Sequence, residues 1–372
     1  MNKTGSEWKN KRVFISGGSG VIGSALTNSL IKAGACLLIG DLKPRPDGWV
    51  NLVKYREGDL ITLTKPEIQK FAPEAFFHLA ATFERSIETS DFWEENFHHN
   101  ILLSHHLLSL LKDLPTLQKI VFASSYLIYN PENYLFSSPQ KHAVSLTETG
   151  SVAPRNLCGM AKMLHEQELF FIKKFRPDLQ TISARIFRSY GKNSRDIISR
   201  WIRALLKNEQ INVYCPEGRF DFVYAEDVAK SLQLLAGSQF NLETAVENNK
   251  VMQDFELKSL SMGTDHSQKV KAAPLESDYG SKDCVNLFSS TAVSRFNGIV
   301  NVGSGKSRSI HEVLEVLQKH FGPFTCKIDK ADIPYEASQA DMSLFHKTIK
   351  SCSFRSLEEV IPDLIAFERT HL

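Results

Sequence analysis

The sequence predicts an α/β protein: a doubly wound parallel sheet carrying a smaller C-terminal α+β lobe. Three observations lead there. Short apolar runs alternate with helical patterns through the first half of the chain, glycines crowd the turn between the first run and the first helix, and beyond about residue 190 the alternation loosens. At 372 residues the chain exceeds the usual single core, so the expected division is a large domain over 1–190, with returns from the second half, and a lobe over 191–372.

Taken in order, "RVFIS" reads as the first strand, Val21 to Ala33 as the first helix, and "CLLIG", "LVKYREG" and "AFFHLAA" as further strands. A long helical segment spans Asp91 to Lys112, "KIVFASS" is the next strand, and a helix from Leu157 to Lys174 runs into "LQTISARIF". Strands bounded by Gly and Asp and separated by amphipathic helices make βαβ units. From about Asn193 follow a helix, the extended pair "INVY" and "FDFVY", and a helix from Glu226 to Leu235.

Residues 237–297 are polar, weakly periodic and lack an apolar face, which predicts an insertion that is partly disordered, holds short helices or serves as an oligomer contact. Regularity returns with "GIVNVGSGKSRSIHEVLEVLQKHF": a strand, a Gly-rich turn, Ser309 as N-cap and an amphipathic helix.

The bulk composition narrows the function classes. Hydrophobic content of 42% with 23% charged residues is ordinary for a globular protein, and 44 basic against 42 acidic residues leave a net charge of only +2. That balance argues against a nucleic-acid footprint or a membrane-surface field, so an anionic ligand must be held locally. The six cysteines are scattered without paired spacing, and no run reaches the roughly 18 apolar residues of a membrane span, so a cytoplasmic location with free thiols is expected.

In "VFISGGSGVIGSALTNSLIKAG", Gly17, Gly20 and Gly23 lie between a strand and a helix. Small residues let the backbone approach a pyrophosphate, and the helix N-terminus aims unpaired N–H groups at it. The second strand ends at Asp41, 18 residues after Gly23, where a carboxylate can accept both hydroxyls of an adenosine ribose. Asp41 would repel a 2′-phosphate, which favours NAD over NADP, although Lys43 and Arg45 keep NADP open.

On these residues the chain resembles the extended short-chain dehydrogenase/reductase family, specifically its NAD-dependent nucleotide-sugar epimerases and dehydratases. "GGSGVIG", with Val21 and Ile22 between its last glycines, matches the family's glycine loop, and the family fold is of Rossmann type. The resemblance implies that Asp59 and Leu60 in "GDL" contact adenine, that Leu79, Ala80 and Ala81 in "HLAA" border the cofactor, and that Asn96 is the family's helix asparagine. It further implies that Ser125 in "FASSYLIY" hydrogen-bonds the reacting sugar, that "CGMAK" stands at the Tyr-x-x-x-Lys position, and that Lys162 bonds the nicotinamide ribose. Tyr129 is then structural. "RIFRSYG" resembles the strand that crosses to the substrate-binding lobe, and "GRFDFVYAEDVA" the segment whose arginine, here Arg219, reaches a substrate diphosphate.

The departure is Cys158, where the family's acid/base tyrosine is expected. A thiol starts near pKa 8.5, below a phenol's value of about 10, so beside Lys162 it can ionise, but it is shorter than a phenol and must still come within about 3 Å of its proton. Tyr126, next to Ser125, is the alternative proton carrier, unless strand alternation turns its ring into the core. Tyr126 and Leu127 also replace the acidic pair of a 4,6-dehydratase. Arg188 suits a carboxylated sugar or an extra phosphate, or else pairs with a local acid such as Glu226. Glu84 and Arg85 lie in a loop that can border the sugar, and Glu166 reads as a helix-face salt-bridge residue.

The implied function is NAD-dependent modification of a nucleotide-activated sugar through a transient keto intermediate, with epimerisation favoured over dehydration or decarboxylation. A non-sugar dehydrogenase or reductase, and a catalytically silent NAD-binding protein, stand as alternatives. A homodimer through the helices around 91–112 and 157–174 goes with the resemblance. His98, His99, His105 and His106 return to one helix face at seven-residue spacing, but no carboxylate or cysteine near them in the sequence completes a ligand set, so no metal is expected. "GSGKS" lacks the upstream glycine spacing of a P-loop.

Overall fold

The computed structural model describes residues 7–83, 88–237, 239–240, 294–295, 298–329 and 333–371. Seven strands form the central sheet: β1 (Arg12–Ser16), β2 (Cys36–Asp41), β3 (Lys54–Glu57), β4 (Ala75–His78), β5 (Lys119–Ser125), β6 (Gln180–Ile186) and β7 (Gly298–Val302). Their spatial order is β7-β6-β5-β4-β1-β2-β3, and every neighbouring pair is parallel. The chain builds outward from β1 to β3, then returns to lay β4 on the other side of β1. Loops leaving β1 and β4 therefore diverge, and the crevice between them is where this class of sheet binds ligands.

Helices cover both faces, which is why the strands are apolar almost throughout rather than alternating. On one face Phe14, Phe76, Ile120 and Phe122 pack against α2 (Lys65–Phe71), α4 (Leu103–Leu111) and α5 (Leu157–Ile172). Phe14 and Phe76 stack with centroids 4.9 Å apart across β1 and β4. On the other face α1 (Val21–Lys32) packs on α7 (Ala225–Gly237), so a helix from the second half completes the first domain.

The long helical segment expected around 91–112 is one unbroken run with a change of pitch inside it: α3 (Ser90–Asn96), a π-turn over Phe97–Leu102, and α4. A π-turn takes an extra residue per turn and rotates everything beyond it. The seven-residue return of the histidines is thereby broken. His98 and His106 both reach the Asp59–Leu63 stretch, whereas His105 meets Glu168 on α5.

A second core gathers α6 (Ile197–Leu206), α8 (Ile310–Phe321) and α9 (Leu357–Arg369), among them Trp201, Ile202, Val313, Leu317, Val360 and Leu364. Ser309 caps α8 as expected, in a capping box with Glu312. The extended stretches Ile211–Tyr214 and Arg219–Tyr224 are both strands but do not pair with each other: the first is parallel to Cys326–Asp329, the second lies between Arg188–Tyr190 and Ser307–Ser309. Two further short strands, Leu135–Phe136 and Val144–Leu146, pair with Tyr335–Glu336 and Ser338–Ala340.

The chain divides into two units, Met1–Ser238 with Asn297–Leu372, and Gln239–Phe296. Of the second unit the described part is the antiparallel pair Gln239–Phe240 and Ser294–Arg295. The rest of the 237–297 insertion lies outside the described residues, apart from Gly237 at the end of α7.

Candidate active site

The glycine loop sits where β1 turns into α1. Gly17 has φ +73°, and a Cβ there would stand 2.6 Å from the backbone nitrogen of Ala80, at the end of β4. Gly20 is the N-cap of α1, and Val21 and Ile22 are its first turn. A Cβ on Gly23 would come within 2.1 Å of the Gly17 carbonyl oxygen, so the helix can seat on the loop only without a side chain there. The result is a shallow backbone cradle at a helix N-terminus, a form that accepts a pyrophosphate.

Asp41, the last residue of β2, is held at the rim of that cradle: Ser19 N donates to one carboxylate oxygen at 2.9 Å and Lys43 N to the other at 3.0 Å. Leu79 N donates to Ser16 O at 3.0 Å, which starts the Leu79-Ala80-Ala81 segment alongside the loop. Asp59 caps the turn Leu60–Thr62 through Ile61 N at 3.0 Å, and Leu60 packs beneath Gly40. The other Asp59 oxygen lies 2.6 Å from His98 Nε2. Burial alone would push Asp59 up, but the His98 contact and the Ile61 amide overcome it and leave its carboxyl below the ordinary range. One ligand atom each from Asp59, His98 and His99 lies within 4.8 Å of the others, so a carboxylate absent from the local sequence does stand beside two of the histidines. It comes from 39 residues away.

Ser125 ends β5, half-buried, and its Oγ accepts from Leu127 N at 3.2 Å, bending the chain into the turn Tyr126–Ile128. That turn carries Tyr126 out of strand alternation. Its residue is 4% exposed, its ring stacks on Phe187 at 5.1 Å, and the Arg188 guanidinium lies 5.9 Å from the ring centre. The segment leading into α5 runs back along the same turn, with Arg155 N donating to Leu127 O at 2.9 Å. Asn156 caps α5 through Gly159 N at 2.9 Å, and a Cβ on Gly159 would press to 2.5 Å from Leu127 O. Positions 158 and 162 are thus brought against the end of β5 by backbone contact.

Cys158 is 5% exposed, its Sγ 3.8 Å from both the Thr82 carbonyl oxygen and Asn100 Nδ2. Lys162 Nζ stands 4.8 Å over the centre of the Phe122 ring. Burial lowers its pKa to about 8, opposed by Cys158. Beneath it His78 bridges Ser16 Oγ at 2.7 Å and Ser104 Oγ at 2.8 Å, and burial, then the neighbouring His165 and Lys162, keep it neutral far below its usual range. Glu166 is a buried structural acid: Arg185 binds it through two nitrogens at 3.1 and 2.8 Å, and Ser124 Oγ donates at 2.6 Å. Tyr129 OH donates to Asn301 at 2.6 Å, a packing role.

Of the two asparagines on the 90–111 segment, Asn96 lies behind Asn100 and accepts from its amide at 2.7 Å. Asn100 is the one that meets the site, accepting from Thr82 N at 2.8 Å as well as touching Cys158. Both asparagines are buried, 1% and 3% exposed, and Asn100 was missed in the sequence because its partners Thr82 and Cys158 arrive from other elements.

Arg188 does not pair with Glu226. That acid binds Lys192 at 3.0 Å and Arg355 at 3.2 Å, while Arg188 Nη2 reaches Glu336 at 3.0 Å. Burial would raise Glu336, yet Arg188 and Arg155 outweigh it and hold its carboxyl below the usual range. Arg219 meets a different acid: its Nη2 lies 3.1 Å from Glu312 in the capping box of α8. The next residue, Phe220, lies under the Arg188 guanidinium at 4.5 Å, and strand alternation sends the two side chains of that pair opposite ways. Glu84 and Arg85 lie outside the described residues.

This is a Rossmann-type α/β protein with a glycine loop, an acidic residue closing the second strand, a serine ending β5 and a lysine packed over that strand. Residues 13–244 match the model of the NAD dependent epimerase/dehydratase family, and the chain belongs to that family. No curated protein matched the chain. Among solved structures it is similar to MoeE5 in complex with UDP-glucose and NAD (21% identity, 97% of this chain and 99% of that chain covered, TM-score 0.71). It is similar too to the UDP-N-acetylglucosamine 4-epimerase of Methanobrevibacter ruminantium M1 in complex with UDP-N-acetylmuramic acid (22% identity, 98% and 100% covered, TM-score 0.68). A third is the UDP-glucuronic acid 4-epimerase of Bacillus cereus in complex with UDP-glucuronic acid and NAD (17% identity, 97% and 100% covered, TM-score 0.69).

Proposed function

We propose that the protein is an NAD-dependent enzyme that modifies a nucleotide-activated sugar through a transient keto intermediate, with epimerisation as the favoured outcome. The observation that carries this reading is the glycine cradle beside Asp41 at the ends of β1 and β2, with Ser125 ending β5 of the same sheet and Lys162 packed over that strand, in a chain of this family. The nucleotide sugars and NAD bound by its structural neighbours support it. The residues present fit a dinucleotide. Gly17, Gly20 and Gly23 leave room for phosphates, Val21 and Ile22 begin the helix behind them, and Asp41 faces a ribose. Asp59 and Leu60 flank adenine, and Leu79, Ala80 and Ala81 line the wall. NAD, when bound, supplies hydride acceptance and return.

Within that site Ser125 would orient the sugar hydroxyl, and Lys162, charged below its pKa of about 8, would hold the nicotinamide ribose. Proton transfer is the altered step. Tyr126 is stacked into the fold and Cys158 is enclosed by Thr82 and Asn100, so neither presents its acid/base atom to an open surface. That enclosure favours one second reading, a catalytically silent NAD-binding protein.

The test is turnover of UDP-, GDP-, CDP- and dTDP-sugars with NAD by the natural chain and by Cys158→Tyr. Activity of the natural chain supports the proposal. Dinucleotide binding without turnover, with activity appearing in Cys158→Tyr, supports the silent reading. Absence of dinucleotide affinity in both chains overturns the enzymatic reading.

A homodimer through the 91–112 and 157–174 helices is part of the same proposal. Trp93, Phe97 and Leu102 on one and Leu164 and Phe171 on the other are exposed large apolar residues, more than a lone surface keeps without purpose. Phe97→Glu with Phe171→Glu is expected to turn a sedimenting dimer into a monomer, and a natural chain that sediments as a monomer at micromolar concentration refutes the dimer. We place the protein in the cytoplasm. In support, Cys36, Cys215, Cys326 and Cys352 are free thiols.

A further inference from the structure

We propose that Asp59, His98 and His99 form a binding site for a divalent transition-metal ion, and that this ion competes with the dinucleotide for Asp59. The competition rests on the dinucleotide reading above, whereas the metal site stands without it.

One ligand atom from each of these side chains lies within 4.8 Å of the other two, and among the described residues this is the one place where three histidine, cysteine or acidic side chains converge so closely. The sequence keeps them apart: Asp59 caps the turn after β3, and His98 follows 39 residues later. Neighbours on an α-helix point about 100° from each other, which would send adjacent histidines to different faces. These two stand in the π-turn Phe97–Leu102, whose extra residue per turn narrows that angle. Their rings meet edge to face with centroids 4.7 Å apart.

The carboxylate is already oriented as a ligand. Ile61 N donates to one Asp59 oxygen at 3.0 Å, the kind of outer hydrogen bond that fixes a metal-binding carboxylate, and the other oxygen lies 2.6 Å from His98 Nε2. The Asp59 and His98 side chains are 30% and 41% exposed, so an ion can enter from solvent and the side chains have room to adjust. Some adjustment is required: around an ion at about 2.0–2.1 Å, tetrahedral ligand atoms stand about 3.3 Å apart, so the Asp59–His98 contact opens slightly and wider separations close. Two imidazoles with one carboxylate suit Zn²⁺ or Ni²⁺ over the oxygen-seeking Mg²⁺ and Ca²⁺, and three protein ligands leave a position for water. An ion on this carboxylate engages the group that the dinucleotide reading gives to adenine. Each ligand should then weaken the other by the same factor.

The experiment is calorimetric titration of the tag-free, metal-stripped protein with Zn²⁺, with Mg²⁺ as the comparison ion, alone and at saturating NADH. Saturable Zn²⁺ binding without Mg²⁺ binding is expected. His99→Gln and Asp59→Asn should each weaken it about a hundredfold, the upper end of what even an outer-shell partner costs, and melting curves show that each variant is folded. Saturating NADH should weaken Zn²⁺ binding about tenfold, and saturating Zn²⁺ should weaken NADH binding equally. Absence of Zn²⁺ binding, or binding that survives both substitutions, overturns the site. A Zn²⁺ affinity indifferent to bound NADH overturns the competition. Absence of NADH affinity overturns the dinucleotide reading and the competition with it, while the two variants still decide the metal site.

Discussion

Gly23→Val will weaken dinucleotide binding about a hundredfold or more. The first atom of any side chain at 23 stands 2.1 Å from the Gly17 carbonyl oxygen and 2.8 Å from Gly18 Cα, and both obstacles are backbone. A flexible side chain can step aside, but a loop held by Gly17 N on Gly40 O at 2.7 Å must itself move. Moving it lifts the N–H groups away from the phosphates they would bind. Overpacking of this kind costs about 1–3 kcal/mol, and misplacing the cradle adds lost phosphate contacts, so a hundredfold loss, about 2.7 kcal/mol, is a modest expectation. Titration of NADH fluorescence measures it, with a thermal melt as the check on folding. Gly20→Ala is the control: its Cβ would meet the Gly17 oxygen at 3.2 Å, a clearance that small shifts can relieve. A folded Gly23→Val chain with unchanged affinity would remove the dinucleotide from this loop.

Arg185→Met will cost about 3–5 kcal/mol of stability, the usual result of stripping one partner from a buried ion pair. Arg185 is a β6 residue and Glu166 an α5 residue, and their side chains are 4% and 2% exposed. Losing the guanidinium leaves a carboxylate with Ser124 Oγ as its remaining side-chain donor in a place that water does not reach. Arg185 also lies 4.8 Å over the Tyr129 ring, so packing is lost with the charge. Urea unfolding gives the number. Adding Glu166→Leu to Arg185→Met should recover much of it, because two apolar groups need no partner. A double variant no more stable than Arg185→Met would mean the cost lies in packing and not in the stranded acid.

How much of this was legible beforehand depends on whether the signal was local. The parallel sheet was, because each βαβ unit carries its own apolar run, turn and helix pattern, and β1 through β6 lie where those patterns fall. The glycine cradle was, because Gly17 to Gly23 meet within one turn. Cys158 was equally plain as a departure at a known spacing from Lys162. Its surroundings were not, since Thr82 and Asn100 arrive from other elements.

The arginines show the limit most sharply. The sequence assigned Arg219 to a substrate diphosphate by resemblance and left Arg188 open between an anionic sugar group and a local acid. Arg188 sits over Phe220 and shares Glu336, and Arg219 is tied to the cap of α8. Glu336 is 181 residues from Arg155 and stands in a stretch, "PYEASQA", without any motif.

The amino-acid order alone determined the sheet, its helices, the glycine cradle and the replacement at 158, since propensity, periodicity and turn chemistry act between near neighbours. Tertiary structure decided which acids Arg188 and Arg219 meet, which asparagine touches Cys158, and that Tyr126 packs inward. Those outcomes depend on charges and rings that meet only after distant segments close on one another, and pairing energies between such groups leave no periodic trace along the chain.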